Sequence, residues 1–205
     1  MTAAIATYDD LVEKVADVMV VTSADTNIPA FIRLAEAQFE RELRVREMEK
    51  QVEYNIGGQE TLLPTDFLEA RAFTLPESGC IVEHVSIESL DGRASKTGAP
   101  HCFTIYGQEL IFYPVPTSEG TVKGKMRYIA RFEPLSPAYP VNPVLTNHPD
   151  IYLYGALTHA AEYIKDREAQ AVYAGLYRQA VSMANDSNKK MIGSRRRIRP
   201  NMRMP

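Results

Sequence analysis

The spacing of apolar residues changes twice along this chain, and one type of secondary structure cannot satisfy both patterns. Up to about residue 50 the period is helical. Leu11, Val12, Val15, Val18 and Met19 recur at three- and four-residue intervals, and Thr7 with Asp10 three residues on marks a helix start. Thr22-Ser23-Ala24-Asp25-Thr26-Asn27 breaks the pattern. Ile28, Phe31, Ile32, Ala35, Phe39 and Leu43 then form a second stripe, with Pro29 in the first turn, where its missing N–H costs nothing. Glu36, Glu40, Arg41, Glu42, Arg44 and Arg46 cover the rest of this helix, so Glu36, Glu40 and Glu42 are expected on a solvated face.

From residue 51 to 132 the period is two. Val122, Gly124, Met126, Tyr128, Ala130 and Phe132 alternate with Lys123, Lys125, Arg127 and Arg131. Gln51 to Ile56 and Thr61 to Leu63 flank Gly57-Gly58, which predicts a hairpin. His101 to Tyr106 and Glu109 to Val115 around Gly107-Gln108 predict another. Ile81 to Leu90 reads as a strand ending at Asp91-Gly92, and Phe67 to Leu75 fits either a short helix or a strand. Pro134, Pro137, Pro140 and Pro143 then interrupt any regular element.

Helix resumes at Asn147-His148-Pro149-Asp150. Leu153, Ala156, Leu157, Ala160, Ala161 and Ile164 line one face, and Ala169, Val172, Tyr173, Leu176, Tyr177, Ala180, Val181 and Ala184 another, with a hinge expected near Asp166. Helix-favouring residues run out at Asn185-Asp186-Ser187-Asn188. The expected fold class is α+β: a helical bundle closed by both termini (1–50 and 144–188) and a small inserted antiparallel β domain (51–133). A Pro-rich linker (134–143) and an extended basic C-terminal arm (189–205) complete it. The 205 residues suffice for one such assembly without a disulfide or metal staple.

Charge is distributed as unevenly as hydrophobicity. After Asp186 come Lys189, Lys190, Arg195, Arg196, Arg197, Arg199 and Arg203 and no acid, a net +7. The preceding residues hold 16 basic against 26 acidic side chains, a net −10. Met191, Ile192, Ile198, Pro200, Met202, Met204 and Pro205 mix apolar surface into the basic segment, which suits an arm with a partner better than a purely solvating tail. Five tyrosines in the second helical region, Tyr152, Tyr154, Tyr163, Tyr173 and Tyr177, favour oligomerisation.

Signals of catalysis and metal binding are weak throughout. No phosphate-binding glycine loop, dinucleotide fingerprint or nucleophile elbow occurs. His84, His101, His148 and His159 are scattered, and Cys80 and His84 would share a face only of a helix, where the sequence reads as strand. Carboxylates such as Asp66 and Glu69 could form an acid–base pair, but no motif accompanies them. The expectation is no enzyme, no cofactor, no metal and no membrane span. With no export signal, Cys80 and Cys102 are expected to be free thiols in a protein made in the cytoplasm.

The order of the motifs resembles the head-to-tail adaptor proteins of short-tailed bacteriophages, of the tail tubular protein A and gene-transfer-agent adaptor type. The matching parts are the helical pair at 8–50, Leu63-Pro64-Thr65-Asp66-Phe67-Leu68-Glu69, and Phe103-Thr104-Ile105-Tyr106-Gly107 running into Tyr113-Pro114-Val115-Pro116. Arg127-Tyr128 and His148-Pro149-Asp150-Ile151-Tyr152-Leu153-Tyr154-Gly155-Ala156-Leu157 continue the likeness. The resemblance implies a structural virion protein at the head–tail junction. It would form a twelve-subunit ring beneath the portal protein, join a tail or nozzle protein, and surround a channel through which DNA passes without specific binding. It also implies a C-terminal extension that reaches the portal, which here would use Lys189, Lys190, Arg195, Arg196, Arg197, Ile198, Arg199, Pro200, Met202, Arg203 and Met204. The alternative reading is a nucleic-acid-binding module in which the same basic tail, aided by Lys123, Lys125 and Arg127, grips phosphates. A body at −10 opposes that reading.

Overall fold

The computed structural model describes residues 5–20, 27–58, 60–91, 96–116 and 122–193. The elements are α1 (Tyr8–Met19), α2 (Ile28–Glu42), a 3-10 turn (Arg46–Met48), β1 (Glu49–Ile56), β2 (Glu60–Leu62), β3 (Phe67–Leu75) and β4 (Cys80–His84). They continue with α3 (Ile87–Asp91), β5 (Cys102–Tyr106), β6 (Glu109–Tyr113), β7 (Val122–Ala130), α4 (Pro143–Asn147), α5 (Pro149–Tyr163) and α6 (Arg167–Gly193). The chain is α+β, and it divides into two compact units, 1–47 with 132–205, and 48–131.

In the first unit α5 packs against α1, α2, α4 and α6. Its burial runs nearly all the way round, through Ile151, Tyr152, Gly155, Ala156, Leu157, Ala160 and Ala161, as expected of a central helix. Gly155 makes this possible: a Cβ there would lie 2.9 Å from the Cβ of Ala35 on α2, so only hydrogen lets the two helices approach so closely. Phe39 meets Tyr152 edge-on, with ring centroids 4.9 Å apart. Thr7 and Asp10 form the reciprocal cap of α1 that their spacing predicts. The hinge between α5 and α6 is a tight turn in which Lys165 takes a φ of 62° and the Asp166 carboxylate accepts from Ala169 N at 3.0 Å.

The proline-rich segment is packed into this unit. Leu135 is buried, Tyr8 N donates to Pro140 O at 2.7 Å, and Asn142 caps α4 by accepting from Leu145 N at 2.9 Å.

The second unit is a seven-stranded sheet in the order β1-β7-β3-β4-β5-β6-β2. Its core gathers Ile56, Phe73, Leu75, Val82, Phe103, Leu110, Phe112, Met126 and Tyr128. Phe73 lies over Gly124, where a Cβ would come within 2.5 Å of the ring, and this explains the glycine inside the otherwise regular β7. The segment that fits helix or strand equally by sequence is the strand β3, with register shifts between Phe67 and Glu69 and between Ala70 and Ala72.

Three expectations are corrected here. Gly57-Gly58 does not close a hairpin: β1 pairs with β7, and β2 pairs with β6. The sheet is not wholly antiparallel, because β4 and β5 run parallel, with Glu83 opposite Cys102 and His84 opposite Phe103. A parallel pair needs a crossover connection, and α3 lies in it. Accordingly the strand expected from Ile81 to Leu90 stops at His84, and Ile87–Asp91 is helical. Ser86 accepts from Ser89 N through its carbonyl at 3.1 Å, and the two hydroxyls are hydrogen-bonded.

Candidate functional site

The residues predicted to dock a partner lie at and beyond the end of α6. Lys189 and Lys190 belong to that helix, which continues to Gly193. Arg195, Arg196, Arg197, Ile198, Arg199, Pro200, Met202, Arg203 and Met204 lie outside the described residues. Helix α6 therefore runs into the predicted docking segment, and the polar run 185–188 does not end it. Its asparagines have distant partners. Asn185 accepts from Arg44 N at 2.7 Å and donates to Glu42 O at 3.0 Å, and Asn188 donates to Arg44 O at 2.7 Å. Asparagine weakens helices because its side chain competes for nearby backbone groups. Here those side chains are engaged with the segment leaving α2, and the competition is removed.

The same clasp completes the C-terminal end of α2. Arg44 donates through Nη1 to Glu40 O at 3.0 Å and to Leu43 O at 2.7 Å. With Asn185 on Glu42 O, three of the carbonyls a helix end leaves without intrahelical donors are satisfied. The root of the basic segment is thereby tied to residues 42–44, and sequence reasoning missed Asn185, Asn188 and Arg44 as its anchors. The available signal was two asparagines at i, i+3 inside an otherwise apolar stripe.

A second polar constellation corrects the expectation for Glu36. This carboxylate is buried on α2, where Oε1 accepts from Leu135 N at 2.7 Å and from the Tyr152 hydroxyl at 3.2 Å. Asn142 Nδ2 donates to the Tyr152 oxygen and, at 3.2 Å, to Glu133 O. Burial raises the Glu36 pKa above the ordinary carboxylate value, against the hydrogen bonds from Leu135 and Tyr152 and the Arg33 guanidinium. The network pins 133–142 to α2 and α5. Beside it runs an open groove of about 390 Å³, lined by Tyr8, Pro29, Arg33, Glu133, Leu135 and Tyr139 among others.

On the sheet unit, one lysine of β7 meets an acid. Lys125 pairs with Glu53 at 3.1 Å. Asp66, on the Leu63–Glu69 motif, accepts from Lys50 Nζ at 2.6 Å and from the Tyr128 hydroxyl at 2.9 Å, while Glu69 pairs with Arg71 at 3.3 Å. Asp66 and Glu69 thus serve different ion pairs. Burial opposes the Asp66 charge, but the bonds from Lys50 and Tyr128 outweigh it and hold its pKa below the usual range.

The histidines are equally dispersed. His84 stacks on Phe103 at 5.0 Å and His101 meets Tyr113 edge-on at 5.9 Å. His159 Nδ1 lies 3.9 Å from Glu162, with its pKa lowered by burial. Among the described residues no three His, Cys, Asp or Glu side chains are grouped to hold a metal ion, and no helix is long and apolar enough to cross a membrane. Cys80 is exposed and Cys102 buried, and both are free.

The polar groups of these constellations hold segments distant in sequence together. A comparison with curated proteins finds no match. The family described as SU10 adaptor protein matches residues 6–202, which takes in both helical segments, the sheet unit and most of the basic segment. The chain therefore belongs to the SU10 adaptor protein family, the phage head-to-tail adaptors, structural proteins of the bacteriophage virion.

Proposed function

We propose that the chain forms a ring beneath the portal protein, joins it to the tail, and surrounds an axial channel for DNA. The observation that carries this reading is the family match from residue 6 to residue 202. It supports a role exercised by binding, with no catalytic turnover. The net −10 of residues 1–186 suits a channel wall, because it repels phosphates and avoids the salt-dependent capture that clustered lysines produce. The ion pairs on the sheet unit speak against the nucleic-acid-binding alternative for Lys125.

The basic C-terminal residues are the portal-docking arm in this reading. Arginines 195, 196, 197, 199 and 203 fit carboxylates bidentately. The Asn185 and Asn188 clasp gives the arm a fixed root, and repetition around a ring converts weak single contacts into tight attachment. Mass photometry of the purified chain with and without portal rings tests the reading. A ring-sized increment on the portal is expected. A monomer that ignores the portal and binds DNA tightly, losing it as salt rises, would instead establish the nucleic-acid-binding alternative.

A further inference from the structure

The two edges of the seven-stranded sheet are β1 and β2, which are also neighbours in sequence. Only residues 57–59 lie between them, and so short a link holds Ile56 and Glu60 within about 14 Å of each other. Six strand spacings would set the edges of a flat sheet about 29 Å apart. The sheet therefore curls on itself, and the rings of Phe73 on β3 and Phe112 on β6 meet with centroids 5.0 Å apart. Yet the curl does not close by pairing. Among the described residues β1 is hydrogen-bonded to β7 alone and β2 to β6 alone.

A seam is left, along which each edge strand offers a row of backbone N–H and C=O groups without strand partners. The longer edge is β1, with eight residues. Its Val52, Tyr54 and Ile56 face the core. Ile56 is fully buried, whereas Val52 and Tyr54 are only partly covered. The Tyr54 hydroxyl is itself buried and has no hydrogen-bond partner among the described residues, an arrangement that costs free energy. Glu49, Gln51, Glu53 and Asn55 alternate on the other face. Glu60 of β2 shares that face, because it stands opposite Ile111, whose neighbours Leu110 and Phe112 point into the core. Lys125 pairs with Glu53, but no cation meets Glu49 or Glu60 among the described residues.

We propose that this seam takes an extended segment of the tail protein as an added strand, hydrogen-bonded along β1. The ligand is a polypeptide because the seam offers main-chain groups in a row, which another strand matches. Its side chains follow from the alternation. Apolar residues at every second position cover Val52 and Tyr54, and lysines or arginines between them meet Glu49 and Glu60. The added backbone also brings an acceptor toward the Tyr54 hydroxyl. The basic segment of this chain belongs to the helical unit and is assigned to the portal above. Of the two proteins that an adaptor joins, the tail protein is the one left for the sheet unit. This inference rests on the portal-to-tail reading and names the surface that would serve its tail side.

Hydrogen exchange read by mass spectrometry tests it on the full chain alone, on portal rings, and on portal rings with tail protein bound. The amides of 49–56 that point away from β7 should exchange equally fast in the first two states. Tail protein should slow them by about tenfold or more. A second measurement uses Glu49→Lys combined with Glu60→Lys. Both positions are exposed, so melting should stay within about 2 °C of the parent chain. Tail protein should bind this variant about tenfold more weakly, with less dependence on salt. Slowing of 49–56 on portal rings alone would give the seam to the portal or to a neighbouring copy and overturn the proposal. Tail protein that binds without slowing 49–56, or binds the double variant as tightly as the parent, would overturn it and leave the portal-to-tail reading standing. Tail protein that does not bind at all would overturn both.

Discussion

Glu36 holds its position through two donors that have no other acceptor within the network, the Leu135 N–H and the Tyr152 hydroxyl. Glu36→Ala should therefore cost about 2–4 kcal/mol, since buried donors are left unpaired. Glu36→Gln keeps an acceptor and removes a buried charge. Its effect should depend on pH with a definite sign. The folded-state pKa of Glu36 is raised, so its favourable contribution is full below the unfolded value, about 4.3, and is lost as pH rises through the folded value. Thermal melts should show Gln gaining on Glu between pH 4 and pH 7. Equal differences at both pH values would show that the buried charge carries no penalty. Val20, at the end of α1, makes a second case: it is β-branched, 90% exposed and held at a φ of 57°. Val20→Gly should stabilise the protein by about 1 kcal/mol in denaturant unfolding, because it removes a left-handed conformation that costs such a side chain most.

At the scale of elements, the clasp between α6 and the end of α2 should matter more than helix propensity. Asn185→Ala raises intrinsic helix propensity by several tenths of a kcal/mol, yet it strips bonds from Arg44 N and Glu42 O. A net loss of about 1–2 kcal/mol is expected in chemical denaturation, and a gain would mean that the clasp contributes nothing. The same contrast explains what could be read from sequence. The helices α1, α2, α5 and α6, the strand β7 and the β5–β6 hairpin follow local patterns and form where those patterns placed them, although Ile164, Val172 and Leu176 of the predicted stripes are exposed. Partner choice is not local. Gly57-Gly58 marks a break in the chain, but nothing in it says that β1 will pair with β7, 66 or more residues onward in sequence. Likewise Glu36 looks like any surface carboxylate until Leu135, ninety-nine residues away, brings its N–H to it. The basic residues of the predicted docking segment were legible as composition, whereas the anchors Asn185 and Asn188 were mistaken for a helix end because their partners lie more than 140 residues earlier.

At the scale of the whole molecule, charge is divided between an acidic body and a basic C-terminal segment. A chain ending at Asn188 keeps the clasp and a net charge of −10, so it should not bind duplex DNA even at about 50 mM salt, where phosphate contacts are strongest. Retention on DNA under those conditions would place a phosphate-binding surface on the body itself. The central claim is that this adaptor attaches to the portal through residues 189–205, and the most direct measurement is mass photometry of portal rings mixed with the full chain or with residues 1–188. The full chain should add the mass of an adaptor ring to the portal. The shortened chain, folded as judged by an unchanged circular dichroism melt, should add none. Equal occupancy by both chains, or no added mass from the full chain at any concentration, would contradict the account.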